Sequence, residues 1–328
     1  MKIITEKKCY KEYYQNFGSK TTLDLLPYKK TLNNHFNPDS YLGFYFPEAE
    51  AFVPLVKKNG LVYFFGGDFY NEKNILPTEQ VNEVLYYLTQ NNLIFRLLSI
   101  ANDTYHALED RLKKFAVPYN QNWYIPNVKT FNARSHQLFL SQINKKKSLR
   151  IQRSIKKRHN YFLEEVDIND TDRIHDLIEA ISSSFSARNK IYDWKEKERL
   201  LLKMLNLFSS NMFFYIMHHP FQNEVGWFCV VKNKNRYQNI LFNIINKFYE
   251  NDVIILFLKM MEVLKDNDCT AFDFMRGNFG YKRICGCKYD SLFALTNDSS
   301  WVPTYSDDIS QQEILQLNQR DYGCFNYS

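Results

Sequence analysis

Five consecutive segments in the second half of this chain restrict its fold more than any other feature. "MFFYIMHH" (212–219), "EVGWFCVVK" (224–232) and "YQNILFNII" (237–245) are strand-like runs in succession. An apolar stretch at helical spacing follows over 253–265, capped by Asn251 or Asp252, and then comes a further strand, "TAFDFM" (270–275). A closing strand is read over 290–296. Strands interleaved with a buried helix define a mixed α/β or α+β pattern, with helices packed on a central sheet.

The first half alternates in the same way on a smaller scale. "YLGFYFP" (41–47), "AFVPLV" (51–56) and "LVYFFGG" (61–67) read as strands separated by turn residues. A helix follows over 76–91, with Thr78 as N-cap and Val81, Val84, Leu85 and Leu88 on one face. Residues 93–100 return to strand character and 103–116 to helix. Between the halves, 135–160 reads as helical and "YFLEEVDI" as a strand. Residues 170–189 form an amphipathic helix on Ile174, Leu177, Ile178 and Ile181, and another helix is read over 195–210.

A chain of 328 residues is long for one core, so two packed domains or one double domain are expected. With 27 Phe and 23 Tyr against only 10 Gly and 9 Pro, a loop-dominated sandwich and long disordered linkers are excluded. Cys9, Cys229, Cys269, Cys285, Cys287 and Cys324 form no CxxC pair and have no His at ligand spacing, so buried free thiols are expected rather than a metal site. The N-terminus turns polar at once, and the most apolar stretch (253–264) is too short and interrupted to cross a bilayer. These features lead to the expectation of a soluble, cytoplasmic protein with no membrane span, of undetermined oligomeric state.

Charge is concentrated in one place. Residues 145–158, "KKKSLRIQRSIKKR", hold eight basic side chains and no acidic one, whereas the remainder is slightly negative, 34 basic against 36 acidic. On a helix, Lys146, Arg150, Arg153 and Lys157 fall at i, i+4, i+7 and i+11 and form one cationic stripe, while Leu140, Ile143, Ile151 and Ile155 lie on a face that packs inward. Such a stripe suits phosphates of a small ligand, RNA or an acidic surface; a solvated face is the competing reading.

The last apolar strand runs into "FDFMRGNFGYKRICG" (272–286), which sets Asp273, Arg276, Gly277, Tyr281, Lys282 and Arg283 within eleven positions. Strand ends facing helices are where α/β proteins hold anionic ligands. Arg276 beside Gly277 offers a planar fork next to backbone that a ligand can approach, either as an anion clamp or as the partner of Asp273.

The order of these features resembles the double-domain GNAT-type acyltransferases of the CelD-like group, distant relatives of the FemABX peptidyltransferases. Their signature runs close to D-F-L-R-G-D-E-P-Y-K-R after a basic helix of the form S-x-K-x-R-x-x-x-R. The resemblance covers roughly 135–296. It departs from the signature at Asn278-Phe279-Gly280, which replaces Asp-Glu-Pro, and in "NKFYEND" (246–252), which lacks the glycine pattern that holds coenzyme A pyrophosphate in ordinary GNAT enzymes.

The resemblance implies an α/β (α+β) fold of tandem GNAT-like domains, each a mixed central sheet flanked by helices. The first would span 1–134, without a cofactor of its own, and the second 135–328, with its basic helix at 140–158. It also implies an N-acyltransferase taking an acyl group, in the first instance acetyl, from acyl-CoA as co-substrate, with no metal. The acceptor would be an amine of an amino sugar or of a polysaccharide or cell-envelope precursor. Two alternatives stay open: a FemABX-like transferase using aminoacyl-tRNA, and a non-catalytic binding or regulatory protein on a decayed scaffold.

Within that implied site the Tyr281 phenol would protonate the departing thiolate, unless it is a core tyrosine with a satisfied hydroxyl. Glu224, beside His218 and His219, would draw a proton from the amine, unless the His-His-Pro run is only a turn. Asn251, the amides of Val253 and Ile254, and Lys247 would cradle pyrophosphate together with Arg276 and Gly277, with a plain helix cap as the competing role of Asn251. Lys146, Arg150, Arg153, Lys157, Asp273 and Lys282 would meet substrate or anion.

Overall fold

The computed structural model describes residues 1–18, 38–65, 80–188, 202, 211–244, 252–276 and 280–301. The helix expected over 195–210 lies outside these residues, apart from Leu202.

Contacts within the chain define two units. Among the described residues, the first holds Met1–Asn122, the end of a later strand at Met275–Arg276, and the chain from Tyr289 to Trp301; the second holds Trp123–Phe274 and 280–288. The closing strand lies in the first unit.

The first unit contains β1 (Lys2–Ile4), α1 (Lys7–Phe17), β2 (Ser40–Phe46), β3 (Ala51–Lys58), β4 (Leu61–Phe64), α2 (Val81–Gln90), β5 (Ile94–Ala101) and α3 (Asn102–His106). Its strand order is β1-β2-β3-β4-β5-β12, with β12 at Lys288–Thr296. Among the described pairings of this unit only β4 and β5 run parallel. Alternation along β3 explains the two-sided burial: Val53 and Leu55 join the α2 residues Val84, Leu85 and Leu88, while Phe52 and Val56 meet Tyr10 and Tyr14 of α1. β6 (Ala116–Ile125) runs from this unit into the second.

The second unit contains α4 (Ala133–Ile143), α5 (Lys145–Lys157), β7 (Phe162–Val166), α6 (Thr171–Arg188), β8 (Met212–His219), β9 (Gln222–Asn233), β10 (Arg236–Ile244), α7 (Asp252–Asp266), β11 (Ala271–Arg276) and α8 (Gly280–Ile284). Its strand order is β11-β10-β9-β8-β7, antiparallel except for the parallel β10–β11 pair. Helix α7 is buried all round over Ile254, Ile255, Leu256, Phe257 and Leu258, which is why that part of its sequence is apolar without a break. The two units repeat one plan. An antiparallel meander (β2-β3-β4 or β8-β9-β10) leads to a helix (α2 or α7) and then to a strand parallel to the meander's last (β5 or β11).

Several local expectations change. The single helix expected over 135–160 is two, because Asn144 leaves helical geometry (φ −154, ψ 92) and its side chain accepts from the Lys147 amide at 3.0 Å, capping α5. Ile143 consequently ends α4 and is exposed rather than packed inward. Small buried Ser148 and Ser154 take the inner face beside Ile151. Over 103–116 only α3 and a 3-10 turn at Lys113–Phe115 form. Cys229, Cys269, Cys285 and Cys287 are free buried thiols, and burial pushes Cys269 and Cys287 up to about 12.

Candidate functional site

Among the described residues β10 and β11 pair only at Arg236↔Ala271, Tyr237↔Phe272 and Gln238↔Asp273. One residue further, the β9–β10 register shifts between Asn239 and Leu241, leaving Ile240 as an extra residue. Such a bulge bends its strand, so β10 follows β9 to Ile244 while β11 continues to Arg276. The parallel strands therefore part where the "DFMRG" motif begins.

Aromatic rings occupy the parting. Tyr281 of α8 stacks on Phe242 of β10 (centroids 5.2 Å, 19°) and meets the edge of Phe274 of β11 (5.9 Å, 64°). Phe242 and Phe274 meet edge to face at 5.2 Å, and Phe274 stacks on Phe257 of α7 at 5.8 Å. Strand alternation places Phe272 and Phe274 inward and turns Asp273 to the other face, opposite Gln238. The Asn239 Oδ1, at the bulge, is buried and accepts no hydrogen bond from a described residue.

Helix α8 closes in a two-bond cap: Cys287 N–H donates to the Lys282 carbonyl at 3.1 Å and Gly286 N–H to that of Arg283 at 3.1 Å. Lys282 is only 1% exposed; its ammonium donates to the Phe274 carbonyl at 3.1 Å and lies 5.2 Å from the Phe274 ring centre. Its position ties α8 to β11 from inside, where sequence reasoning had directed it at substrate or phosphate. Arg283 lies 5.9 Å from the Trp123 ring.

The N-terminus of α7, expected to receive pyrophosphate, begins with a fully buried carboxylate. Asp252 accepts from the Tyr161 hydroxyl at 2.8 Å, and the Tyr161 ring meets His219 edge-on at 4.9 Å. A carboxylate in the first turn already complements the helix dipole and repels a second anion. Val253 follows it in the first turn; Asn251 and Lys247 lie outside the described residues, as does Gly277. Arg276 ends β11.

Glu224 is not brought to Tyr281. Its carboxylate is held by Arg173 at 2.6 Å, and it lies four residues along β9 from Phe228, the strand partner of Phe242. That separation is about 13 Å at the rise of a strand. Beside it, His218 pairs with Glu164 at 2.7 Å. The basic stripe does form one helical face: Lys146, Arg153 and Lys157 are exposed and Arg150 is half-buried. Ser148 bonds to the Gln137 carbonyl at 2.9 Å, and Arg158 meets Glu262 of α7 at 3.2 Å, fixing both ends of α5.

Sequence reasoning missed the Asp252–Tyr161 pair and the ring set Phe242–Tyr281–Phe274. Asp252 was legible as a helix start, but its burial depends on Tyr161, 91 residues away in sequence. Phe242 and Phe274 sat in two expected strands, with nothing in their spacing to show that those strands diverge.

His136 of α4 is 3% exposed and its Nε2 donates to the Ile284 carbonyl of α8. Burial lowers its pKa below the ordinary 6.5, an effect partly opposed by that bond. The unfolded chain therefore protonates first as pH falls: the contribution is complete above about 6.5 and is lost progressively below it. Urea midpoints measured from about pH 7 to pH 5 should fall for the native sequence and fall less steeply for His136→Gln. Equal slopes would rule this residue out as the source.

No family model and no curated protein matches this sequence. Solved structures do match over nearly the whole chain. A conserved protein of unknown function from Bacteroides thetaiotaomicron superposes with TM-score 0.57 at 10% identity, covering 90% of this chain and 100% of its own. The C-terminal domain of a putative lysylphosphatidylglycerol synthetase from Agrobacterium fabrum gives 0.54 at 9%, covering 95% of both. FemX gives 0.52 at 10%, covering 98% of this chain and 100% of its own. The chain thus has a double GNAT-like fold of the FemABX kind, as the repeated meander–helix–strand plan also shows.

Proposed function

We propose that the second unit is a transferase that moves an acyl or aminoacyl group from an activated ester or thioester to an amine, at the parting of β10 and β11. The observation that carries this is the end of pairing at Gln238↔Asp273, with a bulge at Ile240 and Tyr281 stacked in the opening. Strands that part leave backbone N–H groups without ladder partners, and such groups can polarise the reacting carbonyl. As the C–N bond forms and the C–O or C–S bond breaks, the Tyr281 hydroxyl gives its proton to the leaving oxygen or sulfur and regains one from the amine nitrogen. Asp273, on the opposite face, and Arg276, at the end of β11, stand as candidate contacts for the acceptor and for an anion.

The resemblance to the CelD-like group implies acyl-CoA, acetyl-CoA in the first instance, with an amine of an amino sugar or of a polysaccharide or cell-envelope precursor as acceptor. A second reading, aminoacyl-tRNA as donor, is favoured by Asp252, because a buried carboxylate opposes pyrophosphate at the α7 N-terminus. The exposed cations Lys146, Arg153 and Lys157 then contact phosphate without reading sequence.

Titrating the protein with acetyl-CoA and with aminoacyl-tRNA separates the donors. The tRNA reading expects binding that weakens steeply with salt and no saturable CoA binding; tight CoA binding that raises the melting temperature would reverse the choice. With the donor known, Tyr281→Phe is expected to lower kcat by about 10²–10⁴-fold with little change in donor affinity. An unchanged kcat would remove Tyr281 from the mechanism.

A further inference from the structure

Helices α4 and α5 expose aliphatic side chains among lysines. Leu138 (63%) and Ile143 (61%) of α4 and Leu149 (41%) of α5 are three of the large hydrophobic side chains most open to solvent among the described residues. Hydrogen bonds between Gln137 and Ser148, at 2.9 and 3.3 Å, clamp the two helices side by side, and Leu138 and Leu149 each follow one of these residues. Ile143 adjoins the Asn144 corner, after which come Lys145, Lys146 and Lys147, all exposed and forming no ion pair with a described residue. Arg153 is exposed one turn beyond Leu149.

No aspartate or glutamate occurs between Trp123 and Leu163, so this segment brings no acid of its own to relieve the charge. Glu262 of α7 is engaged by Arg158 and Lys259 at the other end of α5. A solvated helix hairpin gains nothing by exposing leucine and isoleucine beside unrelieved lysines. The headgroup region of an anionic bilayer accepts both: aliphatic groups enter the acyl boundary while lysine stems extend and keep their ammonium groups at the phosphates.

We infer that the α4–α5 corner is a peripheral docking surface for an anionic lipid membrane, with Leu138, Ile143 and Leu149 inserting and Lys145, Lys146 and Lys147 contacting phosphate. Aliphatic rather than aromatic side chains at this corner favour lipid over RNA, since single-stranded RNA is held by ring stacking. No described helix is long and apolar enough to cross a membrane, so attachment would be to one surface. This inference does not depend on the reaction proposed above.

Co-sedimentation of the full chain with phosphatidylcholine vesicles, with and without phosphatidylglycerol, tests it. Binding is expected only with the anionic lipid, and raising salt should weaken it. Replacing the three lysines by glutamine is expected to lower partitioning by on the order of 100-fold. Leu138→Ser and Leu149→Ser should each lower it by on the order of tenfold at low salt, with unchanged circular dichroism. No binding to anionic vesicles overturns the inference. So does binding indifferent to both leucine changes, which would mark a general polyanion surface. Binding of bulk tRNA through these lysines without vesicle binding also overturns it, in favour of RNA.

Discussion

Phe257→Ala is expected to lower stability by about 3–5 kcal/mol, measured as a shift in urea denaturation. Phe257 is fully buried in α7. It meets Phe131 edge to face at 5.6 Å and lies stacked on Phe274 at 5.8 Å. Removing the ring deletes apolar contact on two sides, and the surrounding helix and sheet cannot close the gap because both are fixed by their own hydrogen bonds. Phe257→Leu keeps most of the volume and should cost less than about 1.5 kcal/mol. The same column of rings continues through Phe274 to Tyr281, so the alanine variant should also loosen the stacking of Tyr281 on Phe242. A loss below about 1 kcal/mol for the alanine change would show that this column is not a rigid support.

Gly286→Ala is expected to cost roughly 2–4 kcal/mol, from two separable causes. Gly286 has φ +81, where an alanine is strained by about 1 kcal/mol or more. A Cβ there would also stand 2.7 Å from Nδ1 and 2.9 Å from Cε1 of His136. That ring is buried and anchored to the Ile284 carbonyl, so it has little room to withdraw. A double-mutant cycle separates the causes: in a His136→Ala background the glycine change should retain only the backbone strain, about 1–2 kcal/mol. An equal cost in both backgrounds would exclude the ring contact.

These two positions also show how far the sequence could be read. Gly286 caps the short helix α8, with φ +81 suited to glycine, and the structure shows this rather than any spacing in the sequence. Nor does the sequence show what packs against that glycine, because His136 comes from a helix 150 positions earlier. The meander, the apolar helix and the strand of the second unit were legible because buried apolar runs and their spacing are local properties. The bulge at Ile240 was not, since register belongs to a pair of strands and a single strand carries no mark of it.

Side-chain roles divide along the same line. The cationic stripe on α5 was determined by helical spacing, and its exposure follows from the charge it carries. Ile143 and Lys282 were read the opposite way from their placement. Asn144 stops α4 and leaves Ile143 at its open end, while the Phe274 carbonyl and ring give the Lys282 ammonium an internal partner. Glu224 looked available as a base beside two histidines, yet Arg173, 51 residues away, holds it.

By itself, then, the sequence determined most of the elements, the mixed α/β pattern and the basic stripe, because periodicity and capping act over a few residues; the tandem plan came from the resemblance. Only the tertiary structure decided where β10 leaves β11, which ring fills that opening and which carboxylate occupies the start of α7. Each of these depends on pairs of residues far apart in the chain, and their proximity is set by packing rather than by local preference.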